Sequence, residues 1–136
     1  MILVIDTADS EKTFLGIWQK KWLNQVEWSA GRNLSAEILL KIQNSFDEAG
    51  IELKEISGIV VNVGPGSFTG LRIGISVANA FAYSLKIPIV GISEVKSAET
   101  LLEKGQKLLV KLKKFDQPIV PEYGREPNIS QPKNKR

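Results

Sequence analysis

Two hydrophobic periods alternate along residues 1–104 of this chain. Residues 2–7 are apolar up to Asp6 and predict a first strand. Thr13 to Gln19 and Trp22 to Trp28 predict two more, with Lys20 and Lys21 between them and Ala8 to Lys12 as a hairpin turn after the first. The third run alternates, which puts Trp22, Asn24, Val26 and Trp28 on one face. The period then lengthens. From Ser35 to Ala49 the residues Ile38, Leu39, Ile42, Phe46 and Ala49 fall on one stripe at about 100° per residue, a helix with Ser35 as N-cap and Gly50 as its stop. Leu40 falls off that stripe, among Glu37, Asn44 and Asp47. Ile59 to Val63 is a β-branched run that predicts a buried strand over 58–63. A long helical pattern follows to about Lys86, then a strand from Ile89 to Ile92 after Pro88, and a helix from Ser93 to Lys104.

The long helix carries a row of small residues, Gly66, Gly70, Gly74, Ala78 and Ala82, at i, i+4 spacing. Leu71, Ile73, Ile75, Val77, Phe81 and Leu85 widen its apolar arc to roughly 220°, where a helix covering one sheet needs about 100° or a little more. The excess predicts a second partner, either the helix over 35–49 or another protein. The compact domain is expected to end near Lys104, and past Phe115 the apolar periodicity is lost. Pro118, Pro121, Pro127 and Pro132 forbid a regular helix, so residues 116–136 read as an extended tail.

At 136 residues and 43% hydrophobic, the chain is one domain with a tail and can bury a core. With no cysteine it has no disulfide and no thiolate metal site, and with no histidine it lacks the commonest metal ligand and the commonest base near neutral pH. No metal motif is visible. The start has no basic segment ahead of its apolar run, and no run reaches the roughly 20 residues of a membrane span, so a cytoplasmic protein without a membrane partner is expected. The net charge of +3 is unevenly placed: Lys104 to Arg136 holds nine Lys/Arg against three Asp/Glu, while the body is mildly acidic.

Between the buried strand and the long helix lies Gly64-Pro65-Gly66-Ser67-Phe68-Thr69-Gly70-Leu71-Arg72-Ile73-Gly74. A glycine-rich strand–turn–helix can aim backbone N–H groups at an anion. This one is not a Walker loop, because no Gly-Lys-Ser/Thr closes it, and its glycine spacing is wrong for a dinucleotide fold. Equally, the glycines can serve only a structural turn and close packing. Ser67 or Thr69 is placed to cap the helix; neither has a histidine to activate it as a nucleophile. Arg72, in a first turn where the dipole disfavours a cation, reads as paired with a carboxylate or anion, or as an ordinary exposed arginine. Asp6 reads as a turn carboxylate accepting backbone N–H bonds, or else as a general base or holder of a metal-bound water. The three tryptophans read as core and sheet packing rather than base-stacking groups.

The motif Gly64 to Gly74, with Ile2 to Thr7, Leu34-Ser35 with Ile38-Leu39-Leu40, and Ile87 to Ser93, resembles the TsaB (YeaZ) family over most of residues 1–100. The resemblance implies an α/β fold: a single actin-like (ASKHA, ribonuclease H-like) lobe, a mixed sheet with helices, over residues 1–104, followed by a basic linker and tail over 105–136. It implies a non-catalytic scaffold or dimerisation subunit, without cofactor, in synthesis of N6-threonylcarbamoyladenosine on tRNA. Such a subunit binds and stabilises TsaD, with TsaE joining the assembly, tRNA engaged indirectly, and a homodimer possible through the same surface. It implies a partner interface on the first two helices, here Leu40, Gly70, Leu71, Gly74, Ile75, Ala78 and Ala82.

Family members carry a second lobe after the equivalent of residue 100; here Ile119 to Pro127 instead resembles the family's C-terminal segment, with Lys104 to Phe115 as a lysine-rich join. The turn Asp6 to Ser10 lacks the glycine with which actin-like ATPases hold phosphate, and Asp9 would repel one, so no ATPase activity is expected. Two alternatives to the scaffold stay open. One is an acyl- or phosphoryl-transfer remnant using Asp6 and the motif turn. The other is a tRNA-binding module acting through Lys111, Lys113, Lys114, Lys133, Lys135 and Arg136.

Overall fold

The computed structural model describes residues 1–122. Its elements are β1 (Ile2–Asp6), β2 (Thr13–Trp18), β3 (Trp22–Trp28), α1 (Leu34–Ala49), β4 (Gly58–Gly64), α2 (Phe68–Leu85), β5 (Ile89–Ser93) and α3 (Ala98–Leu109). The strands form one sheet in the order β3-β2-β1-β4-β5. β2 runs antiparallel to β1 and β3, whereas β1, β4 and β5 are parallel. An antiparallel meander extended by two helix-linked parallel strands is the mixed sheet of one actin-like, ribonuclease H-like lobe.

Side-chain alternation divides the core in two. Leu3, Ile5, Leu15, Ile17, Ile59 and Val61 face α1 and α2 on one side. Val4, Phe14, Val60, Val90 and Ile92 face α3 on the other. β4 is covered on both faces and buried at all of its positions, which is why its sequence shows no polar alternation, Asn62 being the one polar residue in it.

Four local expectations change. Trp22 does not share a face with Val26 and Trp28, because the β2–β3 register shifts at Ile17/Trp18. Trp22 thus lies on the α3 side, edge-on to Phe14 at 5.6 Å between centroids, while Val26 and Trp28 pack on the α1 side. α1 begins at Leu34 after a 3-10 turn over Gly31–Asn33, so Ser35 lies inside it and is not the cap. Leu39 is not on the core stripe of α1. Leu34, Ile38, Ile42 and Phe46 form that stripe, and Leu39 stays 59% exposed. The last helix is shifted along the chain: Glu94 turns the backbone at φ 58, Ser97 Oγ accepts from Thr100 N at 3.1 Å, and α3 runs on past Lys104 to Leu109. Leu101, Leu102, Gly105 and Leu109 are its sheet-facing row, so the expected boundary at Lys104 falls within a packed helix.

Residues 110–122 contain no helix or strand beyond a short turn, as the prolines require. They are nevertheless held. Asn79 on α2 grips the backbone of Ile119 from both sides, Nδ2 donating to its carbonyl at 2.9 Å and Oδ1 accepting its N–H at 2.9 Å. The Glu122 N–H donates to Val63 O at 2.6 Å, and Phe115 meets Tyr83 edge to face at 5.6 Å. Ile119 itself packs beside Gly91 of β5. We expect Asn79→Ala to lose about 1 kcal/mol of stability, the net worth of such bonds. Amide exchange at Ile119 should accelerate while exchange in β4 does not; equal protection at Ile119 in both proteins would contradict the clamp.

Candidate functional site

Because β1, β4 and β5 are parallel, their C-terminal ends share one edge of the sheet, and the motif turn sits there between β4 and α2. The turn is built on Asn62, which is 3% exposed. Its Oδ1 accepts from Gly64 N at 2.9 Å and its Nδ2 donates to Asp6 Oδ1 at 3.1 Å. One amide therefore ties the end of β1 to the start of the motif. Gly64 has φ 117, a conformation open to glycine and rarely to other residues, and the Gly64-Pro65 peptide is cis.

The rest of the motif closes on Thr7 and Ala8. Ser67 N donates to Ala8 O at 2.8 Å, and the buried Thr7 hydroxyl donates to Gly70 O at 2.6 Å. A Cβ on Gly70 would come 2.5 Å from Thr7 O, and one on Gly74 would overlap the Thr7 side chain. The glycine row is thus the contact surface between α2 and the first strand. Ser67, not Thr69, caps α2, its Oγ accepting from Gly70 N at 3.1 Å. Of the two meanings open for the glycines, close packing is the one the geometry uses.

The residues expected at a partner interface divide accordingly. Gly70, Leu71, Gly74, Ile75, Ala78 and Ala82 are all buried against this chain's own sheet, and Leu71, Ala78 and Ala82 have no exposed area at all. The apolar arc of α2 is wide because its centre is core. Leu40 is 62% exposed, as an interface residue must be, yet it points about 100° around α1 from Leu39.

What is left on the surface lies between the two helices. A groove of about 470 Å³ is lined by Ser35 and Leu39 of α1 and by Phe68, Arg72, Ile73 and Val77 of α2, among others. Phe68 is 55% exposed, and the Arg72 guanidinium lies 5.2 Å from the centroid of its ring. Arg72 has no carboxylate partner among the described residues; it stacks on an aromatic face instead, a contact open to guanidinium and worth about 0.5–1 kcal/mol at an exposed site. Leu39 escaped the periodicity argument because it lies next to the core stripe, where a helical plot cannot separate a buried flank from an exposed one.

A second concavity, of about 390 Å³, opens at the strand ends and is polar, with Asp6, Asp9, Lys12, Glu27, Asn62 and Lys96 among its walls. Burial pushes the Asp6 carboxyl above the ordinary aspartate range, against the lowering pull of the Ala8 N–H and the Asn62 amide; Asp9 and Glu27 add to the rise. Oδ1 of Asp6 accepts from Ala8 N at 3.1 Å as well as from Asn62, the geometry of a turn carboxylate. The turn does not fit a phosphate. Its N–H groups at Ala8, Glu11 and Lys12 are taken by Asp6 Oδ1, Asp9 Oδ1 and Asp9 O, and carboxylates face the space a phosphate would need. Among the described residues no group of three or more acidic side chains is placed to hold a metal.

A raised carboxyl pKa in the folded state means that ionising Asp6 costs stability. The cost is absent below the unfolded pKa, grows as pH rises through the interval up to the folded pKa, and is complete above it. Asp6→Asn keeps an Oδ1 for both donors and removes the charge. It is expected to be more stable than the parent at pH 7, with the difference shrinking on acidification towards the carboxylate range. Melting curves across that range check it; a variant less stable than the parent at pH 7 would show that the charge is needed.

Of the lysines proposed to meet RNA, Lys111, Lys113 and Lys114 are exposed just beyond α3. Lys133, Lys135 and Arg136 lie outside the described residues.

Comparison with known proteins follows the same geometry. A family model described as TsaD: tRNA N6-adenosine threonylcarbamoyltransferase matches residues 27–109, which hold the groove, the motif and α3. The tRNA threonylcarbamoyladenosine biosynthesis protein TsaB of Buchnera aphidicola subsp. Schizaphis graminum is 35% identical over 114 residues, covering 84% of this chain and 51% of the relative. TsaB of Bacillus subtilis is 39% identical over 105 residues, covering 77% and 44%. Among solved structures, YeaZ from Pseudomonas aeruginosa superposes with a TM-score of 0.64 at 28% identity, covering 68% of this chain and 43% of that one. The chain spans about half the length, or less, of the curated relatives it matches.

Proposed function

Because the chain belongs to the TsaB (YeaZ) family, we propose that it takes part in making threonylcarbamoyladenosine on tRNA, as a non-catalytic subunit that docks a TsaD-type threonylcarbamoyltransferase. The observation that carries this reading is the α1–α2 groove, where Leu39, Phe68, Ile73 and Val77 form an apolar strip with Arg72 at its rim. Aromatic side chains and arginine are the groups enriched at protein interfaces, and the interhelical position suits a helical partner face. The same strip is the surface on which two copies would pair when the partner is missing. TsaE enters this scheme only through TsaD, and tRNA only through the assembled complex.

The polar cleft supports a docking role over a catalytic one. Asp6 is engaged by Ala8 N and Asn62, the N–H groups of Ala8, Glu11 and Lys12 are taken within the turn, and no histidine is present to act as a base. Among the described residues no helix is long and apolar enough to cross a membrane, and a cytoplasmic site of action fits this scheme. The test is a calorimetric titration of the full chain into TsaD, alongside a nucleotide titration of the chain alone. Saturable binding of TsaD without ATP hydrolysis by the chain is the expected result. Failure to bind TsaD, with the fold intact, would remove the docking role.

A further inference from the structure

The C-terminal end of α2 carries a feature that docking at the groove does not use. Tyr83, in the last turn of α2, is 71% exposed, and Phe115 buttresses it edge-on at 5.6 Å and 84° between ring planes. Around the pair a concavity of about 380 Å³ is lined by Tyr83, Ser84, Lys86, Lys114 and Phe115. Among the described residues its walls carry two ammonium groups and no carboxylate. Neither lysine has a carboxylate partner among the described residues. Lys86 is the C-cap of α2, held at φ 60, so its stem leaves a fixed backbone position. Lys111 and Lys113, three residues and one residue before Lys114, are also exposed.

An exposed aromatic held by a second ring, between lysines, matches what single-stranded nucleic acid requires. A base offers a π-face to stack on the ring, and its flanking phosphates are neutralised by the ammonium groups. We propose that this concavity binds single-stranded RNA, with one unpaired base stacked on Tyr83 and adjacent phosphates on Lys86 and Lys114. A protein partner at the same place would have to bring a carboxylate to each lysine, whereas a single strand carries a phosphate beside every stacking base. The site lies at the opposite end of α2 from Phe68 and Arg72, so it stands or falls apart from docking at the groove.

The test uses the full chain and a fluorescently labelled oligouridylate of about ten nucleotides, within the usual footprint of a single-strand site. Inorganic polyphosphate, which has charge and no bases, is the competitor. The parent is expected to bind the oligonucleotide saturably at low salt. Tyr83→Ala should weaken that binding by about five- to a hundredfold, the value of one stacked base, while Tyr83→Phe retains it and neither changes the affinity for polyphosphate. Lys86→Gln and Lys114→Gln should each lower the slope of log K against log salt by about 0.7. Absence of saturable oligonucleotide binding overturns the proposal. So does binding that is indifferent to Tyr83→Ala, which would leave only general attraction of a polyanion to lysines. A Tyr83→Ala protein that keeps its RNA affinity but loses TsaD would reassign the shelf to a protein contact. Since Tyr83 is mostly exposed, the melting temperature should stay within a degree or two of the parent; if Tyr83→Ala fails to fold, the two lysine variants and their salt slopes decide the matter.

Discussion

Leu71→Ala is expected to lower the unfolding free energy by about 2–5 kcal/mol, the range for emptying a fully buried leucine site. Leu71 has no exposed area, and it belongs to the same apolar cluster as Ile59, Val61 and Val63 of β4. Its Cδ1 also stands 3.0 Å from where a Cβ on Gly64 would be, so it backs the motif turn as well as the sheet. Two effects therefore add: lost transfer energy, and a cavity that cannot collapse because α2 is pinned on one side by the Thr7–Gly70 bond. Against a total stability of about 5–15 kcal/mol for a domain of this kind, the loss is large. Urea unfolding followed by tryptophan fluorescence measures it. A loss below about 1 kcal/mol, with weakened partner binding, would return Leu71 to the surface and refute the packing of α2 described above.

The second large effect is expected at the groove. Leu39→Asp should cost the isolated chain no more than roughly 0.5 kcal/mol, since the side chain is mostly exposed. It should weaken association with TsaD by about 1–3 kcal/mol, as for a charged substitution of an interface anchor. Leu40→Asp is the matched control. Leu40 is as exposed as Leu39 and differs from it mainly in direction, so any difference in affinity reports on the groove and not on exposed leucine in general. If Leu40→Asp weakens binding and Leu39→Asp does not, the contact lies on the outer face of α1, as its off-stripe position first suggested. If neither does, the first two helices are not the docking surface.

These two experiments meet where periodicity and packing part company. An apolar arc of roughly 220° on α2 says that more than one neighbour is present; it does not say which part of the arc each neighbour takes. Periodicity left two takers for the excess, the helix over 35–49 or another protein, and the family resemblance put the small-residue row at the partner surface. In the folded chain that row is the inner seam. Glycine at 70 and 74 lets the helix approach Thr7 closely, and the leucine and alanines beside it are filled in by β1 and β4. The flank left over is Phe68, Arg72, Ile73 and Val77.

By itself, the sequence determined the order of strands and helices, the buried strand over 58–63, a hydroxyl cap at Ser67 or Thr69, the Gly50 stop and the absence of helix near Pro118 and Pro121. Each of these depends on residues close together in the chain: side-chain period, a hydroxyl within reach of a free N–H, or a ring that removes one. Only the tertiary structure decided the rest. The face of Trp22 was set by a register shift between two strands, the length of α3 by its fit on Val4, Val60 and Val90, and the seating of residues 115–122 by Asn79, forty positions away from Ile119. So was the difference between Leu39 and Leu71. A leucine is apolar wherever it stands, and whether it becomes core or surface depends on what the rest of the chain brings against it.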